Sequence, residues 1–419
     1  MINFFLFLSL SVLSLGPFIV WPSRYNVLMM TNFGFVFVAY FVPLVALDET
    51  KDYSFNILSL YQLIHFVGTF FYLLGLFLGK FFPLLRTSFT FNLISIAQLE
   101  QRTVKIVRAI SLFSIIGLII SFCIMGFIPA FTSDPLMAKF FKGPYREPYL
   151  RIALLYRLCF FLSSIITPFL FVIAVEKKSK FYGFLLGIIT ILLLMTLSRG
   201  PAANGLLIGL ALIAAKKGRI ASSLFAIIIT SIYIFGSISY YLLGVLFSIE
   251  GMTALYDTKN IWKMIASGSP DIKDQLDFLT AFINQDSPFT YGRTFLGGLI
   301  PGSFRWNPSI WTLSILNPGV DLTETSSGGL RLTLPLWGYT SFGWIGVLVL
   351  PFISGILTSY VAKFIKKWFK INKDLIRAII IISLYNCLGM QIINFYLLSM
   401  YSIPVVLSIF LFSYRIKLK

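Results

Sequence analysis

Long apolar stretches, each about the length needed to cross a bilayer, are the feature that most constrains the fold of this 419-residue chain. A spanning helix needs roughly 20 apolar residues, because the hydrocarbon core is about 30 Å thick and a helix rises about 1.5 Å per residue. Hydrophobic residues make up 58% of the chain and charged residues only 12%, which excludes a soluble globular protein. The sequence therefore predicts an all-α, polytopic transmembrane bundle.

About 11 stretches meet this criterion, and the first lacks the charged region and cleavage site of a signal peptide, so we expect it to be retained. The predicted organisation is an N-terminal bundle over 1–247, a long outer loop over 248–335 and a C-terminal bundle over 336–419. The predicted spans lie near 2–21, 27–47, 57–79, 106–128, 150–175, 181–197, 201–215, 220–247, 336–362, 376–393 and 396–414.

The placement of Lys and Arg orients the predicted spans, because these residues remain in the cytoplasm when they lie in short connections. One side of the alternation carries 21 basic and three acidic residues, so the whole net charge of +18 lies there. This indicates membrane topology and attraction to anionic lipids rather than nucleic-acid binding. We expect an outer N-terminus, a cytoplasmic C-terminus and a location in the bacterial cytoplasmic membrane.

No common motif for a nucleotide, a metal or a redox centre occurs in the sequence. It contains no Walker A loop, no dinucleotide-binding glycine fingerprint, no CxxC pair and no HExxH motif. Cys123, Cys159 and Cys387 lie in apolar stretches, where they are typical packing residues. His65, the sole histidine, is expected to be packed or bonded to the backbone rather than to bind a metal.

Function is therefore expected in the outer loops and the helix ends that face them, and the loop at 129–151 is the first candidate. It carries the possible ligand-binding residues Arg146, Glu147 and Arg151, and Arg157 follows in the next predicted span. An arginine at that depth either faces a polar cavity or extends its head to the interface, and the sequence leaves both readings open.

The second candidate is the tight turn Leu197-Ser198-Arg199-Gly200-Pro201 between two predicted spans. Gly-Pro alone explains the turn. Arg199 is harder to explain as a simple turn residue, because little else in so short a loop could position or neutralise its charge.

The third candidate is the outer loop over 248–335. Its first half predicts one or two amphipathic helices at the interface. Its second half places Arg293, Arg305 and Arg331 among aromatic residues and glycines, with Tyr291 and Trp306 close by in the sequence. Guanidinium groups bind phosphate through two parallel hydrogen bonds and aromatic rings stack on sugars, so this half suits a phosphorylated glycan. Anchoring at the lipid headgroups is the alternative.

The order of several short motifs resembles the Wzy-type oligosaccharide repeat-unit polymerases of bacterial O-antigen and capsule synthesis. These motifs are Ile128-Pro129-Ala130-Phe131, the Ser-Arg-Gly turn, Tyr291-Gly292-Arg293-Thr294-Phe295, Ile300-Pro301, Gly328-Gly329-Leu330-Arg331 and Phe342-Gly343-Trp344-Ile345-Gly346. The resemblance implies a GT-C-like glycosyltransferase architecture. It also implies an undecaprenyl-diphosphate-linked oligosaccharide as substrate, with a flippase and a chain-length regulator of the same pathway as partners.

The implied reaction needs charge stabilisation on a departing diphosphate and a base for the attacking hydroxyl, with no nucleotide, metal or other cofactor. We expect catalytic roles for Arg199, Arg293, Arg305 and Arg331, and substrate binding by Arg146, Arg151, Arg157, Tyr291 and Trp306. Glu147 is the expected base, with Asp286 and Glu324 as further candidates.

Two other functions remain open from the sequence. A flippase or other transporter of lipid-linked oligosaccharides would share the basic polytopic character, but should show repeated halves and charges at mid-membrane. A glycan ligase or another lipid-phosphate-dependent glycosyltransferase would share the outer loop. For such a transferase the acidic segment 48–52 is a possible source of a carboxylate, although an ordinary solvated connection also explains it.

Overall fold

The protein is all-helical over the residues that the computed structural model describes: 2–20, 24, 34–46, 52–82, 96–254, 256–269, 271–297, 300, 302–322, 329–371, 375, 378–379 and 382. The helices that run through the predicted membrane stretches are α1 (Ile2–Val20), a π-helix (Phe37–Phe41) continuing into α2 (Val42–Ala46), α3 (Phe55–Phe81), α4 (Ile96–Met125), α7 (Ala153–Glu176), α8 (Lys180–Met195), α9 (Arg199–Lys217), α10 (Arg219–Leu246) and α16 (Leu334–Ile371). The shorter helices of the connections are α5 (Pro135–Phe140), α6 (Arg146–Leu150), α11 (Glu250–Thr253), α12 (Ile261–Ser267), α13 (Asp271–Asn284), α14 (Arg293–Leu296) and α15 (Pro308–Leu316).

Five of these helices have segments long and apolar enough to cross a membrane: Phe55–Phe81, Gln101–Met125, Ala153–Glu176, Arg219–Leu246 and Leu334–Lys367. The predicted all-α membrane character is thus confirmed, whereas the count of 11 spans is not. Lys180–Met195 is apolar but shorter, and the helix at the predicted span 201–215 is not among the five. The predicted span 396–414 and nearly all of 376–393 lie outside the described residues.

Short polar residues fix where several helices begin. Ser54, Asp134, Asn260 and Asn307 precede α3, α5, α12 and α15, and each side chain accepts a hydrogen bond from a backbone N–H of the first turn. These bonds satisfy amides that have no partner within the helix. The predicted loop 129–151 therefore contains the short helices α5, which has a side-chain cap, and α6, which has none.

Two buried cores hold the described helices together. The larger one unites α4, α7, α8 and α9 around residues such as Leu118, Ile166 and Leu212. The second joins α1, α3 and the start of α16 to α13 and α15, and includes Tyr61, Leu276 and Trp337. The helices predicted in the first half of the segment 248–335 are present as α12 and α13. The apolar face of α13, with Ile272, Leu276 and Leu279, packs into this second core.

Glycines allow α3 and α16 to pack backbone against backbone. A Cβ atom added to Gly75 would lie 2.1 Å from the carbonyl oxygen of Phe352, and one added to Gly79 would lie 2.8 Å from Cβ of Ser359. Gly75 meets Phe352 and Gly79 meets Ser359, so both helices advance in the same direction along this interface. The two helices are therefore parallel. Gly75-x-x-x-Gly79 is the small-residue spacing that brings membrane helices into close contact.

The helix α16 is broken at Phe342 and Gly343, which have non-helical backbone angles. Gly338, before the break, lies against Gly346, after it: a Cβ on Gly338 would be 2.5 Å from the carbonyl oxygen of Gly346. Because eight residues of straight helix would separate these positions by about 12 Å, the short segment must fold back on the long one. Residues 334–341 and 344–371 thus form a helical hairpin.

The interface of α3 and α16 predicts the effect of a single methyl group. Gly75→Ala should destabilise the purified protein by about 1–3 kcal/mol, because backbone atoms of Phe352 cannot move aside easily. Gly187→Ala is the matched control, since a Cβ at Gly187 in α8 meets nothing within 4 Å. Thermal unfolding in detergent should show a lower midpoint for Gly75→Ala alone; equal midpoints for the two variants would refute the packing argument.

Candidate functional site

The centre of the candidate site is an ion pair between the two halves of the segment 248–335, formed by Asp271 and Arg331. Arg331 Nε lies 2.8 Å from Asp271 Oδ1, and Arg331 Nη2 donates to Asp271 Oδ2 at 2.9 Å. Two parallel bonds of this kind are the geometry of an ionised pair. The side chain of Asp271 is 3% exposed and that of Arg331 is 52% exposed, so the pair is buried on one side and accessible on the other.

A buried polar network fixes the backbone that carries Arg331. The amide nitrogen of Gln275 donates to the carbonyl oxygen of Arg331 at 2.7 Å and to the hydroxyl of Tyr40 at 2.6 Å. Its amide oxygen accepts from the hydroxyl of Tyr61 at 2.7 Å. Both N–H groups and the oxygen of Gln275 are therefore used, which holds residue 331 in place without involving its guanidinium.

The network continues to the only histidine of the chain. His65 Nδ1 lies 2.8 Å from the carbonyl oxygen of Tyr61, and Nε2 lies 2.8 Å from the hydroxyl of Thr333. A carbonyl can only accept, so Nδ1 carries the proton, and neutral imidazole then accepts from Thr333. The expectation of a packed, backbone-bonded histidine is confirmed. His65 supports Thr333, two residues from Arg331, and is fully buried.

Asp274 is the titratable group beside this pair. It lies one turn after Asp271 on α13 and is partly exposed. Burial, together with the negative charge of Asp271, raises the pKa of Asp274 to about 6, against the opposing charge of Arg331. Burial also raises the pKa of Asp271, but there Arg331 bonds both oxygens and opposes the rise. The two carboxylates thus have different capacities: Asp271 is bound to an arginine, and Asp274 can exchange a proton near neutral pH.

The guanidinium of Arg331 lies beside one aromatic ring and within electrostatic range of a tyrosine. Its Cζ lies 5.2 Å from the ring centroid of Phe35, just before the π-helix, and the charge also reaches Tyr233 on α10. A guanidinium has five N–H donors, and the pair with Asp271 uses two of them. The accessible part of Arg331 can therefore bind an anion while Asp271 holds its plane fixed.

Arg199 is held by backbone carbonyls, an arrangement that the sequence did not predict. Its Nη1 donates to the carbonyl oxygens of Gly236 and Ser237 on α10, the latter at 3.1 Å, and Nη2 donates to that of Gly268 at 3.4 Å. These bonds tie the start of α9 to α10 and to the end of α12. The charge of Arg199 is nevertheless close enough to Asp271 to oppose the rise in the pKa of that carboxyl.

Arg293 and Arg305 share one aromatic partner. Their Cζ atoms lie 5.0 Å and 5.4 Å from the ring centroid of Trp306, and both side chains are exposed. Neither guanidinium has a carboxylate partner within the described part of the chain. Tyr291 is also exposed, and its backbone N–H donates to the carbonyl oxygen of Ser341, beside the break in α16. The structure thus groups Arg293, Arg305 and Trp306 into what we call the tryptophan cluster.

The predicted site residues of the 129–151 loop lie at its surface. Arg146, Glu147 and Arg151 are exposed on α6 and at its end. Arg157 is also exposed, and its Nε donates to the hydroxyl of Tyr149. Of the two further candidate bases, Asp286 is exposed and Glu324 lies outside the described residues, as do residues 48–51 of the acidic segment.

Asp271, Asp274 and Gln275 were missed by the sequence analysis, although one signal could have revealed two of them. Along α13 the helical period places Asp271 and Gln275 on the same stripe as Leu279 and Phe282, which are buried. A polar residue on an apolar stripe needs a specific partner. The identity of those partners, residues 40, 61 and 331, was not readable because they are distant in sequence.

No group of three or more metal-ligating side chains occurs among the described residues. In comparisons with known proteins, no protein-family model, no curated protein and no solved structure matches this chain.

The ion pair predicts a non-additive pair of substitutions. Arg331→Met should lower the free energy of unfolding by about 3 kcal/mol at most, because it leaves Asp271 buried and unpaired while Arg331 itself is half exposed. Adding Asp271→Asn removes the unpaired charge, so the double variant should recover much of this loss. Thermal unfolding of the purified variants in detergent measures both effects; a double variant as unstable as the sum of the single changes would contradict the pairing.

Proposed function

We propose that this chain is a membrane glycosyltransferase that joins polyprenyl-diphosphate-linked oligosaccharide repeat units into a polysaccharide at the outer face of the membrane. The single observation that carries the proposal is the placement of Asp274 beside the Asp271–Arg331 pair. A half-accessible arginine and a carboxylate with raised pKa are the two groups that this transfer needs. The resemblance in motif order to the repeat-unit polymerases points to the same chemistry.

In the proposed reaction, the hydroxyl of the terminal sugar of a new repeat unit attacks the anomeric carbon of the growing chain. The bond between that carbon and the diphosphate oxygen breaks, and the diphosphate leaves with the electron pair. Asp274 accepts the proton of the hydroxyl, since a base with a pKa of about 6 is largely ionised at neutral pH. Arg331 stabilises the negative charge on the leaving diphosphate, and Asp271 keeps its guanidinium oriented.

The tryptophan cluster suits the sugars of the same substrate. Arg293 and Arg305 are exposed and lie beside an aromatic ring, which suits hydrogen bonding to glycan hydroxyl and acidic groups. We assign the base to Asp274 in place of Glu147. Glu147 is an exposed residue of α6, whereas Asp274 lies within electrostatic range of Arg331.

Asp274→Asn should abolish polymer formation in cells, with a loss of about 100-fold or more, because the attacking hydroxyl then lacks its base. Asp257→Asn is the control, since it makes the same change elsewhere in the outer segment, and an asparagine oxygen can still accept from the backbone N–H of Lys259. Protein levels in the membrane fraction must match. Normal polymer from Asp274→Asn would refute the assignment.

The purified wild-type protein should also show a specific pH dependence with a lipid-linked repeat unit as substrate. Asp274 must be ionised to act as a base, so the rate should fall about tenfold for each pH unit below about 6 and level off above it. A rate that is constant between pH 5 and pH 8 would contradict the role of Asp274.

Lipid-linked glycans from cells that lack this protein provide the most direct test of function. A polymerase predicts accumulation of single lipid-linked repeat units at the outer face. Loss of outward-facing units would instead identify a flippase, and long polymer left on its lipid carrier would identify a ligase; either result would overturn the proposal.

A further inference from the structure

The helix α13 is held on two sides by tyrosines from one stretch of chain. On its buried side, Gln275 accepts a hydrogen bond from the hydroxyl of Tyr61 on α3 at 2.7 Å. On the opposite side, the hydroxyl of Tyr53 donates to Asp277 Oδ1 at 2.6 Å, across 224 positions of sequence. Tyr53 lies just before α3 begins, so the two bonds fix α13 against the start of that helix.

Asp277 has a second partner on its own helix. Lys273 Nζ lies 2.7 Å from Asp277 Oδ2, while the hydroxyl of Tyr53 uses the other carboxylate oxygen. The side chains of Lys273 and Asp277 are 53% and 39% exposed. An exposed ion pair of this spacing contributes little to folding stability, because water screens both charges. Its larger effect is therefore expected on an ionisable group beside it.

Asp274 is that group. It precedes Asp277 by three positions, so the two side chains lie on one face of α13 with Cβ atoms about 5–6 Å apart. Burial and the charge of Asp271 raise the pKa of Asp274 most, and the charge of Asp277 raises it further. Lys273, the residue just before Asp274, lowers the same pKa. The charge beside Asp274 thus depends on a carboxylate that two other side chains hold in place.

The elements packed against α13 add few other groups that could titrate near Asp274. The helix α15 contains no ionisable residue. The ionisable groups from the remaining neighbours are Arg331, Tyr40 of the π-helix, Tyr61 of α3 and Tyr53.

We propose that Asp277, held by Tyr53 and Lys273, is a positioning residue that fixes the accessible face of α13 and places a negative charge beside Asp274. The inference rests on the proposed function, in which Asp274 accepts the proton of the attacking hydroxyl. Tyr53 sets where the carboxylate of Asp277 lies, and Lys273 sets how much of its charge acts on Asp274. The connection before α3 thus contributes to the site through a hydroxyl group.

The first test titrates Asp274 in the purified full-length protein without substrate, by infrared spectroscopy of its carboxyl band, which Asp274→Asn identifies. Asp277→Asn removes a negative charge and should lower the pKa of Asp274 by about half a unit, while the amide oxygen can still accept from Tyr53. Lys273→Gln removes a positive charge and should raise the pKa by a similar amount. Asp257→Asn is the control and should leave it unchanged.

The second test measures the rate against pH with a lipid-linked repeat unit. The midpoint of the acid limb should move from about 6 to lower pH in Asp277→Asn and to higher pH in Lys273→Gln. Tyr53→Phe retains both charges but loses the hydrogen bond, so it should lower kcat several-fold and leave the midpoint in place. A purely structural role of these residues would lower the rate without moving the midpoint in opposite directions.

An unchanged pKa of Asp274 in both Asp277→Asn and Lys273→Gln, or shifts of the same sign, would overturn the inference. Wild-type kcat in Tyr53→Phe would overturn its positional part. Because the two charge variants shift the pKa in opposite directions, either one decides the matter if the other does not fold. The titration requires no transferase activity. Opposite shifts in an inactive protein would refute the proposed function alone, and unchanged titration in an active enzyme would refute this role of Asp277 alone.

Discussion

The arrangement of the candidate site depends on one constraint: a polar group withdrawn from water must find its hydrogen bonds within the protein. Gln275 meets this constraint by bonding three residues from three different parts of the chain, and so fixes the backbone at position 331. Asp271 meets it by accepting two bonds from the Arg331 side chain. The same constraint therefore sets both the position and the orientation of one guanidinium.

This leaves Asp274 in an unusual environment. Its neighbour Asp271 on the same helix has its charge balanced by Arg331, whereas Asp274 remains partly buried without a bonded cation among the described residues. One helix thus carries two aspartates, one turn apart, with different proton affinities. Different environments for two like carboxylates are a common way in which a site separates an orienting role from a proton-accepting one.

The sequence was sufficient to predict helices, their membrane character and the amphipathic segment that became α12 and α13, because these follow from periodicity and length alone. It also indicated that Arg293, Arg305 and Trp306 belong together, since they are close in the chain. It could not reveal that Arg199 would bind carbonyls of α10, or that residues 40, 61 and 331 would meet Gln275. Those contacts join residues up to 235 positions apart, and no local pattern encodes them. The count of 11 spans is not confirmed: five helices in the described part of the chain are long and apolar enough to cross a membrane, and nearly all of 376–414 lies outside it.

The backbone contact between α3 and α16 has a consequence for how the protein is made. Gly75 and Phe352 are separated by most of the chain, so the ribosome has completed every intervening helix before α3 can meet its partner. Until then the glycine face of α3 lacks the helix against which it packs. The candidate site rests on both helices, through Tyr61 and Thr333, and is therefore assembled only late in biosynthesis. A nascent chain released early would therefore lack the backbone contacts on which this site rests.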